Sequence, residues 1–268
     1  WSNEEPENGS LCQDLLGKAI LDGAKTQRHS PIFIVAAVFD RPNVKSFFRK
    51  LSTSHKGSDM ILNVHIANNK KSRQGELIDM AEAAANDQAK FFIHTFKRNM
   101  GGMARFFLTR ELMKFHDFTF VIFIDDDQYV RHSTVIDLWS QRTLLAMTGW
   151  YGKKWSSSVD SYWRPNIGLE QIQTQAETND DWDYVGTGLS IVDTLNFSDD
   201  RVFKPPIEYY FVEDLWLSYI LKVNSWMLLR AFVDVDLEED LFVNGQSVHM
   251  VPKKATMFKK LNACPVPL

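Results

Sequence analysis

Apolar runs punctuate the first half of the chain, and each stops on polar residues. Ile32 to Val38 is built from Ile, Phe, Val and Ala and runs into Asp40-Arg41-Pro42-Asn43. Met60 to Ala67 ends at Asn68-Asn69, Lys90 to Phe96 ends at Lys97-Arg98-Asn99, and Phe120 to Ile124 ends at Asp125-Asp126-Asp127. Short runs rich in β-branched and aromatic residues predict buried strands. Between them the period changes to that of a helix. Val44, Phe47, Phe48 and Leu51 share one face behind Pro42, which stands where a helix would start. Gln74 to Asp87 is rich in Ala and Glu, with Ser72 and Glu76 as a candidate cap. Ala104, Leu108, Leu112 and Phe115 lie at helical spacing behind Gly101-Gly102. Alternation of this kind predicts an α/β fold: a mostly parallel central sheet covered by helices on both faces.

After Asp127 the pattern loosens. Val135 to Leu145 reads as a helix and Ala146 to Trp150 as a strand, and then residues 151–181 are polar without a period. That length predicts a long surface loop of the functional kind. Order returns at Trp182-Asp183-Tyr184-Val185-Gly186-Thr187-Gly188 and Leu189 to Val192, and Pro205-Pro206 marks a turn. A helix from about Glu213 to Lys222 would bury Val212, Trp216, Tyr219, Ile220 and Val223, and Trp226 to Val235 reads as a late strand. The organisation expected is one domain in two halves, 31–130 and 131–254, with an N-terminal arm over 1–30 and a tail over 255–268.

Composition changes this picture little. The 268 residues suffice for a well-buried core, and a formal net charge of −4 gives no sign of a nucleic-acid surface. No apolar run approaches the roughly 20 residues that span a bilayer. The chain opens on Trp1, which reads as a processed or trimmed start. Cys12 and Cys264 stand near opposite ends, either as one disulfide or as two thiols. Asn8-Gly9-Ser10 and Asn196-Phe197-Ser198 match the glycosylation acceptor pattern, and the compartment stays open between a secretory lumen and the cytoplasm.

The chemistry starts at the end of the fourth run. Three adjacent carboxylates repel one another, so they are stable together only in water or around a cation, unless they simply cap the next helix. A hard divalent ion, Mg²⁺ or Mn²⁺, takes carboxylate oxygens and commonly completes its shell from a substrate's phosphates. The carboxyl end of a strand in an open α/β sheet is also where ligands bind. A diphosphate there calls for cations and backbone donors. Arg98, Arg105, Lys253 and Lys254 are candidates, together with the Gly101-Gly102 helix start, whose other reading is a turn needing positive φ. Glu213-Asp214 at a predicted helix start is either a cap or a general base for an attacking hydroxyl. Gly186-Thr187-Gly188 would let backbone approach a substrate closely. His249 would be a third metal ligand. Trp150, Tyr151, Trp155, Tyr162 and Trp163 form an aromatic group suited to the apolar faces of sugar rings, or to the core.

In this order the strand-end Asn68-Asn69, the loop-helix Asn99-Met100-Gly101-Gly102-Met103-Ala104-Arg105, Asp125-Asp126-Asp127, Gly186-Thr187-Gly188 and Glu213-Asp214 resemble a GT-A glycosyltransferase. The likeness covers roughly residues 31–254. It is to the broad family-2 type, with some similarity to exostosin-like transferases around Ile124 to Trp150 and Val212 to Leu221. The resemblance implies a Rossmann-like GT-A domain using Mn²⁺ or Mg²⁺ and a UDP-linked sugar, with a glycan or glycoprotein acceptor and no nucleic acid. Asp125 and Asp127 would form the Asp-x-Asp pair, with Asp127 the principal ligand and Asp125 or Asp126 reaching the ribose or the metal's water. Asp40 and Asn68 would hold the base and ribose. Arg73, Arg98, Arg105, Lys253 and Lys254 would contact the donor and His249 the metal. Trp150, Trp155 and Gly186-Thr187-Gly188 would face the acceptor. Asp214 is favoured over Glu213 as the base of an inverting transfer, although the matching acid of exostosin-like enzymes serves a retaining one. The usual aspartate after the second strand is here Asn68-Asn69, and the Gln-x-x-Arg-Trp motif of processive polymerases is missing, which points to single-sugar transfer. Two other classes compete: a nucleotidyltransferase, which would release pyrophosphate, and a non-catalytic glycan-binding domain.

Overall fold

The computed structural model describes residues 31–41, 44–52, 59–153, 182–206, 210–237, 254–257 and 260. The expectations for residues 1–30, Cys12, Cys264, Pro42, most of the 151–181 loop with Trp155, Tyr162 and Trp163, and His249 and Lys253 lie outside these residues.

The apolar runs are strands. β1 spans Ile32–Val38, β2 Leu62–Asn68, β3 Ala89–Thr95 and β4 Phe120–Asp125. The later strands are shorter: β5 Gln128–Tyr129, β6 Ala146–Gly149, β7 Gly152–Lys153, β8 Tyr184–Val185, β9 Ser190–Asp193, β10 Met227–Arg230 and β11 Asp236–Leu237. Seven of them form one sheet in the order β10-β6-β9-β4-β1-β2-β3, so β4 is the middle strand. β3, β2, β1 and β4 are mutually parallel, as are β10 and β6, while β9 runs antiparallel between β4 and β6. The mostly parallel sheet expected from the alternation is therefore present, with one reversed strand joining its two halves. β5 pairs with β11 and β7 with β8 as small antiparallel ribbons.

Alternate residues of each buried strand feed different faces, which is why the sheet has two cores. On one face Ile32, Ile34, Ile122 and Ile124 pack with Phe47, Phe48, Leu77 and Leu138. These come from helices Val44–Ser52, Gln74–Ala84 and His132–Ser140. On the other, Val35, Val121 and Phe123 pack with Phe106, Leu108, Leu217 and Ile220, from helices Met103–Leu112 and Glu213–Val223.

Several local expectations change: the helix read over Val135 to Leu145 is His132–Ser140, and the late strand read over Trp226 to Val235 is confined to Met227–Arg230. Helix Gln74–Ala84 is not capped by Ser72: a 3-10 turn over Lys71–Arg73 leads into it, and Glu76 is taken by Arg73 instead. Phe115 lies beyond the end of helix Met103–Leu112 and is 79% exposed, so Leu112 is the last apolar residue of that face. In helix Glu213–Val223 the buried positions include Leu215, Leu217 and Leu221, while Trp216, Tyr219 and Val223 are half-buried. Asn196 is 1% exposed, so the second glycosylation pattern is closed to a glycan in the folded protein.

Candidate active site

Because β1, β2 and β4 are parallel, the polar residues that end them meet at one edge of the sheet. Val38 stands beside Asn68 and Ala37 beside Asp125 in the register. Each strand ends where its buried apolar run ends, so the sequence pattern itself gathers Asp40-Arg41, Asn68-Asn69 and Asp125-Asp126-Asp127.

The three aspartates are answered by two arginines. Arg41 donates from Nε to Asp126 Oδ1 at 2.7 Å and from Nη2 to Asp127 Oδ2 at 2.5 Å. Arg105 donates from Nη2 to Asp125 Oδ1 at 2.7 Å and lies 3.6 Å from Glu213 Oε1. These cations do not balance the acids. Burial, only partly offset by Arg41, pushes Asp126 up to about 6. Burial and the neighbouring charge of Asp125 push Asp127 up to about 7. The cluster is short of positive charge, which is what a divalent cation would supply, and its oxygens are of the type that hard ions take. Among the described residues no group of three His, Cys, Asp or Glu side chains forms a metal cage. Two carboxylates completed by a substrate's phosphate oxygens remain a donor set that fits Mg²⁺ or Mn²⁺.

Several other expected donor contacts are engaged elsewhere. Asn68 is fully buried; its Nδ2 donates to Thr95 Oγ1 at 3.1 Å and its Oδ1 accepts from the Lys70 amide at 2.9 Å. It closes the turn after β2. Asn69 braces the next loop, accepting from the Met100 amide and donating to the Gly101 carbonyl, both at 3.0 Å. Arg73 grips Glu76 through two nitrogens, at 2.8 and 2.7 Å, and donates to the Arg41 carbonyl at 2.8 Å. It is a brace under Arg41. Asp40 is exposed and pairs with Lys70 at 2.6 Å, a hydrogen bond that holds its carboxyl below the usual range. Arg98 is exposed and donates to Met100 Sδ at 3.2 Å.

Gly101 has φ +56°, the left-handed region that favours glycine. A side chain there would also meet the Phe211 ring, and one on Gly102 would overlap the Glu213 carboxylate. The paired glycines thus let helix Glu213–Val223 press its first turn onto the start of helix Met103–Leu112. Gly188 does the same for the metal side, since a Cβ there would strike Asp125 Oδ2 and Gln128 Nε2.

Glu213 and Asp214 are both buried, and their surroundings differ. Burial pushes Glu213 up to about 7 although Arg105 is near, and its Oε1 accepts a long 3.4 Å bond from Thr187 Oγ1. Asp214 accepts from Tyr184 Oη, from Lys254 Nζ at 2.7 Å and from the Leu215 amide at 2.9 Å. Burial raises its pKa, but Lys254 and these hydrogen bonds outweigh it and hold the carboxyl below the usual range.

One cavity of about 240 Å³ is lined by Asp125 and Gln128 from the strand-end group and by Glu213, Asp214 and Lys254, while Asp126 and Asp127 are not part of its wall. Trp150, Tyr151, Tyr184 and Phe211 and the Gly186-Thr187-Gly188 backbone supply the rest of its wall. The structure therefore brings together Asp125, Trp150, Gly186, Thr187, Gly188, Glu213, Asp214 and Lys254 of the expected set, with Arg105 behind them. Sequence reading missed Arg41, Gln128, Tyr184 and Phe211. Gln128 was within reach of notice, three residues after Asp125, whose amide its Oε1 accepts at 3.0 Å.

No family model matches the chain, and no curated protein does. Solved structures do. The mannosyltransferase PcManGT from Pyrobaculum calidifontis, in complex with GDP-Man and Mn²⁺, superposes with a TM-score of 0.51 at 9% identity, covering 82% of this chain and 64% of that one. Two further matches fall lower. S. aureus TarS gives a TM-score of 0.47 at 14% identity over 76% of this chain, and GalNAc-T7 with UDP, GalNAc and Mn²⁺ gives 0.48 at 12% over 75%. This chain spans 35% of the TarS chain and 41% of the GalNAc-T7 chain. At such identities the likeness establishes architecture. The chain has the GT-A glycosyltransferase fold. Among the described residues no helix is long and apolar enough to cross a membrane.

Proposed function

We propose that the chain is a metal-dependent glycosyltransferase. It moves a single sugar from a UDP-linked donor to a hydroxyl of a glycan or glycoprotein, with inversion. The observation that carries this reading is the shared cavity: a strand-end carboxylate and a buried helix-start acid pair face one space on a GT-A fold.

Asp127 and Asp125 would hold Mn²⁺ or Mg²⁺, and such an ion, when bound, neutralises charge developing on the departing diphosphate. Lys254 lines the same cavity as Asp125 and Asp214. Its ammonium rests on Asp214, and a diphosphate in the same space offers it a stronger partner. With Lys254 drawn away, burial becomes the dominant influence on Asp214, and its proton affinity rises toward that of a working base. Asp214 then takes the acceptor's hydroxyl proton. The acceptor oxygen bonds to the anomeric carbon, the bond from that carbon to the diphosphate oxygen breaks, and the electron pair leaves with UDP. Glu213 stays tied to Arg105 and Thr187. Trp150, Tyr151 and Phe211 offer ring faces to the acceptor sugar.

A thermal-shift screen of nucleotide sugars with and without Mn²⁺ tests the reading. The donor should stabilise the protein by about 2.7 kcal/mol at a hundredfold excess over its Kd, and only with metal. Incubation with an acceptor should then release the nucleoside diphosphate. Stabilisation by a nucleoside triphosphate with release of pyrophosphate would replace this reading with nucleotidyl transfer.

A further inference from the structure

Arg41 lies in the turn just past β1, after Phe39 and Asp40, and spans two successive carboxylates with two different nitrogens, Nε on Asp126 and Nη2 on Asp127. Those side chains are only 11% and 19% exposed, so they need a cation whenever they are charged. The backbone beneath Arg41 is pinned, because Arg73 donates to its carbonyl at 2.8 Å while Glu76 holds Arg73 in place. Its side chain, in contrast, is 29% exposed and has solvent to move through. Arg105 offers the opposite case. It is 6% exposed, its Nε donates to the Gly102 carbonyl at 3.3 Å, and its Nη2 lies between Asp125 and Glu213. One arginine is built in; the other lies at the surface.

We infer that Arg41 is a stand-in counter-ion: it neutralises Asp127, one of the two acids that would hold the cation, and the adjacent Asp126 until the donor arrives, then passes its guanidinium to the donor's diphosphate. This rests on the metal-dependent transfer reading above. The consequence is coupled loading. A divalent ion entering alone must displace Arg41 from Asp127, breaking its two-carboxylate grip with no new partner for the freed Nη2. An ion entering with a diphosphate expels it onto phosphate oxygens, which a guanidinium binds through two parallel hydrogen bonds. Metal and nucleotide should each tighten the other's binding by the same factor, since coupling is reciprocal. Arg41 is in this account a donor-binding residue that sets the order of assembly.

Titration calorimetry of Mn²⁺ alone, UDP alone and Mn²⁺ in the presence of UDP checks this on the wild-type chain, Arg41→Gln and Arg41→Lys. The wild type should bind Mn²⁺ at least about tenfold more tightly when UDP is present. Arg41→Gln should bind Mn²⁺ alone about tenfold more tightly than the wild type and lose most of the enhancement by UDP. Arg41→Lys keeps the charge without the fork and should fall between them, which guards against a Gln variant that folds poorly. Unchanged or weaker binding of Mn²⁺ alone in both variants overturns the role of Arg41 while leaving the transfer reading in place. A wild-type chain that binds neither Mn²⁺ nor UDP in any combination overturns both.

Discussion

Asp127 and Asp214 are the same residue type, both largely buried at one end of the sheet, and their pKa values move in opposite directions. Asp127 is pushed up to about 7 by burial and by Asp125, and the Arg41 guanidinium that opposes this is shared with Asp126. Asp214 is held below the usual range because Lys254, Tyr184 and the Leu215 amide all serve it. The strand-end group is short of cation; the helix-start aspartate has its cation in hand. Position in the chain explains part of this. Asp125, Asp126 and Asp127 follow one another out of a buried strand and repel at close quarters, whereas Asp214 opens a helix whose dipole favours an acid. A site that takes up a divalent ion at one side and a proton at the other needs such a division.

The strongest way to break the comparison is Asp127→Asn. Removing a charge that the fold already disfavours should leave the melting temperature unchanged or raise it, while sugar transfer drops below detection. Transfer at the wild-type rate in that variant would remove the metal role. Asp214→Asn should act on the other side. Transfer is expected to fall about 10³-fold through loss of the base, while UDP and Mn²⁺ still bind by calorimetry. Joint loss of binding and transfer would mean that Asp214 holds Lys254 for the donor and does not take the proton.

Gly188→Ala sharpens the boundary between the two groups. Its Cβ would strike Asp125 and Gln128, and neither can retreat easily, since Asp125 is tied to Arg105 and Gln128 is buried. A destabilisation of about 1–3 kcal/mol in denaturant unfolding is expected, with weaker Mn²⁺ uptake and Glu213-Asp214 untouched. A neutral outcome would show that the strand end shifts more freely than its contacts imply.

What was legible in the sequence follows the same division. The strands, the aspartate triplet and the helix-start acid pair were plain because apolar runs and their abrupt ends are local signals. That Asp125 and Asp214 serve one site came from the resemblance to GT-A transferases, not from the run of strands and helices. Partner choice was not legible, because it depends on which side chains tertiary packing brings within reach. Arg73 looked like a donor contact and is a brace for Arg41; Asn68 looked like a base or ribose contact and closes a turn. Arg41 gave no signal, since nothing local says that a residue after β1 will span two acids after β4. Gly101 and Gly102 were noticed for a helix start, yet their need for space comes from Phe211 and Glu213, far away in the chain.

Elsewhere on the same sheet a buried histidine poses the reverse of the acid problem. His65 on β2 is 4% exposed, stacked with Phe33 and Phe92, and its Nδ1 lies 3.0 Å from His94 Nε2. Burial, with the charges of His94 and His116 behind it, holds His65 down to about 3. A histidine whose folded pKa is depressed stabilises the fold fully above its unfolded value near 6.5. That contribution is lost as the pH falls from about 6.5 toward about 3, because the unfolded chain takes up the proton first. Asp126, Asp127 and Glu213, whose pKa values are raised, pull the other way over much of this range. The wild-type pH profile alone therefore mixes both signs, and a difference measurement separates them. Between pH 7.5 and pH 5.5 the wild type should lose about 1.4 kcal/mol more stability than His65→Gln in urea unfolding. Equal losses in the two proteins would mean that His65 accepts a proton inside the folded sheet, and the contrast between its acidic end and its histidine edge would not hold.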